Sequence, residues 1–440
     1  MKVLAFASVV SPVFLVPALS FADRSALNFE PVTWASADPA QVELGQLLFY
    51  DPILSGNQSV SCATCHHPSL GTADGVSLSI GDGGIGLGPD RVIDTDNPPE
   101  QRIPRNAPAL FNLGADEFTI MFHDGRLEAD PSRPNGIRTP LGDSMTEGFD
   151  SVLSAQAMFP VLSADEMAGH YSENAISQAV RMGHLSLPGG AWEQIAERVE
   201  DVPQYRARFD EVLGAGAPIH FTDISNMIAQ FIAFEWRADG SPFDRYLAGE
   251  GGLSDVQQQG LNLFYGDAGC SVCHAGTFQT DHAFHSIAMP QLGPGKGARF
   301  ESHARDEGRM RVTGAQEDAY AFRTPSLRNI AQTAPYGHAG AYASLEAVVR
   351  HHLDPVASLH AYDREQAVLP DLPGAEDWRI MDSADDLAAI AASNDLEPIQ
   401  LVDGEVRALV AFLEALTDPS SQVGRLGIPD SVPSGLPVDR

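Results

Sequence analysis

The sequence predicts a mainly α-helical chain built as two similar halves, and three observations predict it. The motif Cys-x-x-Cys-His occurs twice, as Cys62-Ala-Thr-Cys65-His66 and Cys270-Ser-Val-Cys273-His274. Each copy follows an apolar segment of helical period, ending in Leu48-Phe-Tyr50 or Leu263-Phe-Tyr265. Beyond each copy, further short pieces recur in the same order.

The two thiols of each motif can form thioethers to the vinyl groups of one haem, and the adjacent His can ligate its iron. These are the only four cysteines of the chain. A structural zinc site would need further ligands for each pair, and two widely separated pairs make a poor disulfide framework. Two c-type haems is therefore the reading of the motifs.

Taken in order, the chain opens with an export signal. Lys2 precedes an apolar stretch from Val3 to Leu19, interrupted by Ser11, Pro12 and Pro17, and Ser20-Phe21-Ala22 offers small residues for cleavage. Residues 1–22 are thus expected to be a signal peptide. No later stretch is apolar for long enough to span a bilayer. Covalent haem attachment in bacteria also requires export, so a periplasmic location is expected. A first helix should start near Asp38, a plausible N-cap, with Pro39 at its first position and Val42, Leu44, Leu47 and Leu48 on one face. It stops at Asp51-Pro52. In the second half Ser254-Asp-Val-Gln257 is a capping box for a helix running into Tyr265. Between the halves, Thr222 to Trp236 has the period of an amphipathic helix, which places the boundary within 215–245. Long loops are expected at 81–104, 128–149 and 277–314. Gly404 to Leu416 closes the chain with a helix carrying Val406, Leu409, Val410 and Leu413.

The repeat continues past the motifs. Arg105-Asn-Ala-Pro108-Ala-Leu110-Phe-Asn112 is echoed by Arg323-Thr-Pro325-Ser-Leu327-Arg-Asn329, and His123-Asp-Gly125 by His338-Ala-Gly340. Leu153 to Pro160 corresponds to Leu345 to His352. The fold class is accordingly mainly α, with two cytochrome c-like helical domains that each carry one covalently bound c-type haem. The division is 23–220 for the N-terminal haem domain and 221–418 for the C-terminal haem domain. Residues 419–440, rich in Pro, Ser and Gly, are expected to be a flexible tail.

A haem held only by its proximal His is open to peroxide, whereas one closed by two protein ligands can only pass electrons. The second half ends its repeat in His351-His352, so a His can close the haem of His274; the repeat register favours His352. The aligned residue of the first half, Pro160, cannot ligate iron. The first haem is expected to be open and the second closed. An open haem needs a group that moves a proton between the two peroxide oxygens, and Glu166, just after the Pro160 turn, is the candidate. Gln156 could hydrogen-bond a bound oxidant.

Net charge of −32 argues against nucleic acid and anionic membranes as partners and favours a soluble protein that could attract a basic one.

From about Asp38 to Leu416 the chain resembles the bacterial di-haem cytochrome c peroxidase and MauG family. The motifs that carry the likeness are Leu48-Phe-Tyr-Asp-Pro52, both Cys-x-x-Cys-His copies, Arg105-Asn-Ala-Pro108, Phe122-His-Asp-Gly-Arg126, Glu166-Met167, Ser241-Pro-Phe-Asp244, Phe322-Arg-Thr-Pro325, Leu327-Arg-Asn329 and Thr333-Ala-Pro-Tyr-Gly-His338. The resemblance implies a peroxidatic N-terminal haem, an electron-donating C-terminal haem and a calcium ion between them. It places distal roles on Gln156, Pro160 and Glu166. It gives calcium to Asn106 with the carbonyls of Thr333 and Pro335, and sets Arg323 near a haem propionate. Three positions depart from the family. Asp82 stands where the peroxidases carry a His that blocks the resting site, His352 stands where relatives use Met or Tyr, and His123 replaces a Trp between the haems.

Two readings of function follow. One is a peroxidase that detoxifies H2O2 with electrons from a small cytochrome c or cupredoxin. The other is a MauG-like enzyme that uses H2O2 to oxidise a side chain of a partner protein. A non-catalytic electron-transfer cytochrome would need both haems closed. A homodimer is common among relatives.

Overall fold

The computed structural model describes residues 27, 29, 31–297 and 303–440, so the expected signal peptide lies outside the described residues. Several helices start where the sequence supplies a cap. In α1 (Pro39–Tyr50) the Asp38 carboxylate accepts from the N–H groups of Ala40 and Gln41, and Pro39 sits in the first turn, where its missing N–H costs nothing. After α2 (Cys62–Cys65), the first half continues through α3 (Val152–Gln156), α4 (Ala175–Arg181), α5 (Ala191–Glu200), α6 (Pro203–Leu213) and α7 (Phe221–Glu235). Following α8 (Pro242–Ala248), Ser254 and Gln257 close a reciprocal capping box on α9 (Asp255–Phe264). The remaining helices are α10 (Met310–Thr313), α11 (Leu345–Leu353), α12 (Pro355–His360), α13 (Ala384–Ala392) and α14 (Asp403–Glu414).

Sheet is sparse. Strands β1 (Gly84–Ile85) and β2 (Val92–Ile93) pair, as do β6 (Phe284–His285) and β7 (Phe322–Arg323), and β4 (Leu127–Ala129) lies between β3 (Ile120–Met121) and β5 (Ile137–Arg138). All pairs are antiparallel. Parts of all three sheets fall in segments expected to be loops. Strands of two or three residues are too short to show an alternating pattern.

The duplication is built into the packing. α1 crosses α7 and α9 crosses α14, each time at a glycine. A methyl on Gly45 would stand 1.9 Å from the Met227 carbonyl oxygen, and one on Gly260 would stand 1.8 Å from that of Ala408. Phe49 then packs on Phe231 at 5.3 Å between ring centroids, and Phe264 packs on Phe412 at 5.1 Å. Each half has its own core, with Phe278 reaching into the first and Leu78 into the second.

Two expectations need correction. The boundary falls between Ala238 and Phe243 rather than at 220/221, because Phe221, Ile224, Met227, Phe231 and Trp236 all belong to the first core. α7 is the partner that buries the apolar face of α1, so the first half is incomplete without it. Residues 419–440 are also packed rather than free. Val432 is buried, and Ile428, Leu436 and Val438 rest on the first core. The Ser434 hydroxyl donates to Asp51 at 2.6 Å, and the Thr64 hydroxyl donates to Asp439 at 2.5 Å. A few spaced apolar residues anchor a segment whose composition alone suggested disorder.

Candidate haem centres

In the second half, α11 and the segment after Cys270–Cys273 bring two imidazoles close together, with their planes tilted by 57°. The rings of His274 and His352 lie 6.4 Å apart between centroids. A carbonyl can only accept, so His274 Nδ1–H donates to Gln279 at 3.0 Å and His352 Nδ1–H to Val348 at 2.8 Å. Both rings therefore keep a bare Nε2, the tautomer that a metal needs. His351 is different. Its Nε2–H donates to the Ile287 carbonyl at 2.8 Å, and its Nδ1 accepts from the Tyr342 hydroxyl at 2.8 Å. With both nitrogens engaged, His351 has no lone pair to offer. Burial draws its pKa down to about 3, which keeps it neutral. An oxygen of Asp281 and a ring nitrogen of His285 lie within 4.8 Å of Cys273 Sγ and of each other.

In the first half, Cys62 and Cys65 begin and end α2. His66 follows, its Nδ1–H donating to the Thr72 carbonyl at 3.1 Å. Gln156 is the last residue of α3, and Pro160 opens a short 3-10 turn, Pro160–Leu162. Next comes a π-helical turn, Ala164–Ala168, that carries Glu166. Burial, the dominant influence, raises the Glu166 carboxyl above its ordinary range, while Lys296 and Arg126 oppose the rise. Arg126 lies 4.0 Å over the Phe122 ring and 5.3 Å from Phe159. Lys296 itself is held down to about 8, first by burial and then by Arg126 and Arg105. Sequence reasoning missed Lys296, although one signal was present: apart from Lys2 it is the only lysine of the chain. Asp82 is fully buried, accepts from Asn57 at 2.8 Å and Ser59 at 2.9 Å, and donates its own N–H to the Glu166 carbonyl at 3.0 Å.

Between the two centres lies a polar seam. Arg105 pairs with Asp306 through two hydrogen bonds, at 2.6 and 2.7 Å, and with Asp124 at 2.7 Å. Asn106 donates its N–H to the His338 carbonyl at 2.9 Å and its Nδ2–H to Val76 at 2.8 Å. His123 Nε2–H donates to the Asn106 carbonyl at 3.1 Å, and burial lowers its pKa to about 4. His338 stacks on Phe322 at 3.7 Å, with both ring nitrogens buried and unpartnered among the described residues. Thr333 and Pro335 flank Ala334, and the Ala334–Pro335 bond is cis. Arg323 is drawn down to about 10 by burial. Its N–H groups reach only the carbonyls of Phe122 at 3.3 Å and Thr324 at 3.4 Å, with no ion pair among the described residues. A buried guanidinium without a carboxylate fits an anion that the cofactor supplies, such as a haem propionate.

Comparison with known proteins supplies the family. A family model described as di-haem cytochrome c peroxidase matches residues 39–252. The methylamine utilization protein MauG of Methylorubrum extorquens is 30% identical over 382 residues, covering 86% of this chain and 78% of that one. Cytochrome c551 peroxidase of Pseudomonas aeruginosa is 32% identical over 326 residues, covering 72% of this chain and 75% of that one. A solved MauG-like protein associated with microbial copper homeostasis superposes with a TM-score of 0.58 at 26% identity, over 90% of this chain and 95% of that chain. The helix-rich fold, the paired motifs and these relatives together place the chain in the di-haem cytochrome c peroxidase family.

Proposed function

We propose that this chain is a periplasmic di-haem peroxidase that reacts with H2O2 at its N-terminal haem and passes electrons through its C-terminal haem. Cys62 and Cys65 would attach the first haem with His66 as ligand; Cys270 and Cys273 would attach the second with His274 and His352 as ligands. Arg323 would face a propionate. Bound haem supplies an iron that takes peroxide when one axial position is open and only relays electrons when both are filled. The observation that carries the assignment is the contrast at one place of the repeat. Opposite His274 stands a ring with a bare Nε2, at 6.4 Å between centroids, whereas the first half offers Pro160 there. Around the open position, Gln156 would orient the oxidant by a hydrogen bond. Glu166 would take a proton from one peroxide oxygen and return it to the other. No described helix is long and apolar enough to cross a membrane.

The test of the ligand assignment is spectroscopic. His352→Ala should convert the second haem from low to high spin, and His351→Ala should leave it low spin; an unchanged spectrum in His352→Ala removes the assignment.

A MauG-like reading, in which the oxidising equivalents go to a side chain of a partner protein, is favoured by Asp82. That residue occupies the place of the blocking His in the peroxidases and is tied to Asn57, Ser59 and the Glu166 backbone. The site is then open at rest. Oxidised protein mixed with stoichiometric H2O2, with no prior reduction, should change its spectrum in the first turnover. A reaction that waits for one haem to be reduced would favour the detoxifying peroxidase with a small cytochrome or cupredoxin donor. Calcium would be held by Asn106 with the carbonyls of Thr333 and Pro335, hard oxygen donors with no carboxylate among them. Chelation should therefore strip it readily and slow electron transfer between the centres.

A further inference from the structure

The second centre continues into a chain of aromatic rings to which the proposed function gives no role. From His352 the next ring is His351, 6.0 Å away between centroids; Tyr342 follows at 5.0 Å, Tyr362 at 5.6 Å and Trp378 at 6.4 Å. His351 and Tyr342 are buried, while Tyr362 and Trp378 are half-buried. The series therefore runs from the interior to the surface without a gap.

Its chemistry differs from ring to ring. A tyrosine that loses an electron becomes a strong acid and must give up its phenolic proton, so oxidation is easy only beside a base within hydrogen-bond reach. Tyr342 has one. His351 donates from Nε2 to Ile287, which leaves Nδ1 as the acceptor of the Tyr342 O–H at 2.8 Å. Ser358, at 2.9 Å, is free to donate to the same phenolic oxygen. Tyr362 instead donates to the Ala341 carbonyl at 2.6 Å, which is not a base. The Arg364 guanidinium lies 4.9 Å from the Trp378 ring centre, and its charge opposes a positive hole there. Of the three oxidisable rings, Tyr342 is where a hole should rest.

We propose that Tyr342 is a redox-active tyrosine and that Tyr342, Tyr362 and Trp378 relay electrons from the surface toward the His352 side of the second haem. The proposal rests on His352 as the ligand of that haem. H2O2 is the oxidant: each molecule takes two electrons and two protons to give two waters. For each electron drawn from Tyr342, the phenolic O–H bond breaks and an N–H bond forms at His351 Nδ1. An external one-electron donor then refills Tyr342 through Trp378 and Tyr362, and the proton returns to the phenol. Two such passages, with two protons taken up from solvent, balance one H2O2.

The holoenzyme, mixed with stoichiometric H2O2 without reductant and frozen within milliseconds, should give a tyrosyl radical signal in electron paramagnetic resonance. The signal should narrow with ring-deuterated tyrosine and be lost in Tyr342→Phe while the second haem stays low spin. A signal that persists in Tyr342→Phe, or none in the unsubstituted protein, overturns the proposal. Trp378→Phe, at the surface, covers the case in which Tyr342→Phe does not fold. With ferrocyanide as donor it should prolong the radical several-fold, and an unchanged decay overturns the relay. Failure of the ligand assignment reads differently, as an unaltered low-spin spectrum in His352→Ala.

Discussion

At the scale of single residues, the proposed peroxide site would depend on how one carboxyl is tuned. Burial raises the Glu166 carboxyl above its ordinary range, and Lys296 and Arg126 draw it back. Glu166→Gln should slow the reaction with H2O2 by about 10²–10⁴-fold, the usual worth of a positioned acid–base group; a wild-type rate in stopped flow would remove Glu166 from the reaction. Lys296 gives a sharper test. Its cation favours the ionised carboxylate, so Lys296→Met should raise the Glu166 pKa further and move the acid limb of the pH–rate profile to higher pH. Lys296→Arg should restore the limb, and a limb that ignores both changes would deny the coupling. The two partners differ in how legible they were. Glu166 stands out as a candidate because it follows the Pro160 turn in the same half. Lys296 arrives from the other half of the chain, across a glycine-rich loop with no periodicity, so only its rarity could have marked it.

At the scale of elements, the two halves are legible because caps and helical periods are local. Asp38 and Ser254 start α1 and α9 through hydrogen bonds to N–H groups two or three residues on, and such signals survive in any fold that keeps the helix. Which helix completes which half is decided by packing. α7 carried the right period, but its partner is fixed by the close approach at Gly45, which the sequence shows only as one glycine among 40. The same local reading missed the anchoring of 419–440, where Ser434 and Asp439 meet residues more than 370 positions away. The crossings predict their own sensitivity. In Gly45→Ala or Gly260→Ala the new methyl would be driven onto a backbone carbonyl, which cannot rotate aside as a side chain can. Each should cost at least about 1–3 kcal/mol, as overpacking of a tight core does. Gly252→Ala, with nothing within 4 Å of the new methyl, should stay within about 0.5 kcal/mol of wild type. Thermal midpoints of the three variants separate the outcomes, and a wild-type midpoint for Gly45→Ala would refute the close crossing.

At the scale of the whole molecule, the halves are locked by buried charge, and that makes the protein sensitive to acid. Arg105 holds Asp306 well below the usual carboxylate range, against the opposing effect of burial. A depressed carboxyl stabilises the fold above its ordinary pKa and loses that contribution as pH falls toward the depressed value. Three buried histidines act in the same direction at milder pH. His123 is lowered to about 4, and His338 and His351 to about 3, with burial the leading cause in each. These rings stay neutral in the folded protein, whereas the unfolded chain takes up their protons as pH falls below about 6.5. The unfolded state then binds more protons, so stability rises with pH through this window and is lost on acidification. Each ring contributes a slope of up to about 1.4 kcal/mol per pH unit. The urea midpoint should therefore fall between pH 7 and pH 5, before the Arg105–Asp306 pair titrates. His338→Phe isolates one ring, since Phe can keep the 3.7 Å stack on Phe322 without a site for the proton. It should flatten the dependence by one ring's share, and a slope equal to wild type would show that His338 is not a source of it. Arg105→Met should instead cost about 3–5 kcal/mol at pH 7, because it leaves Asp306 buried and unpaired.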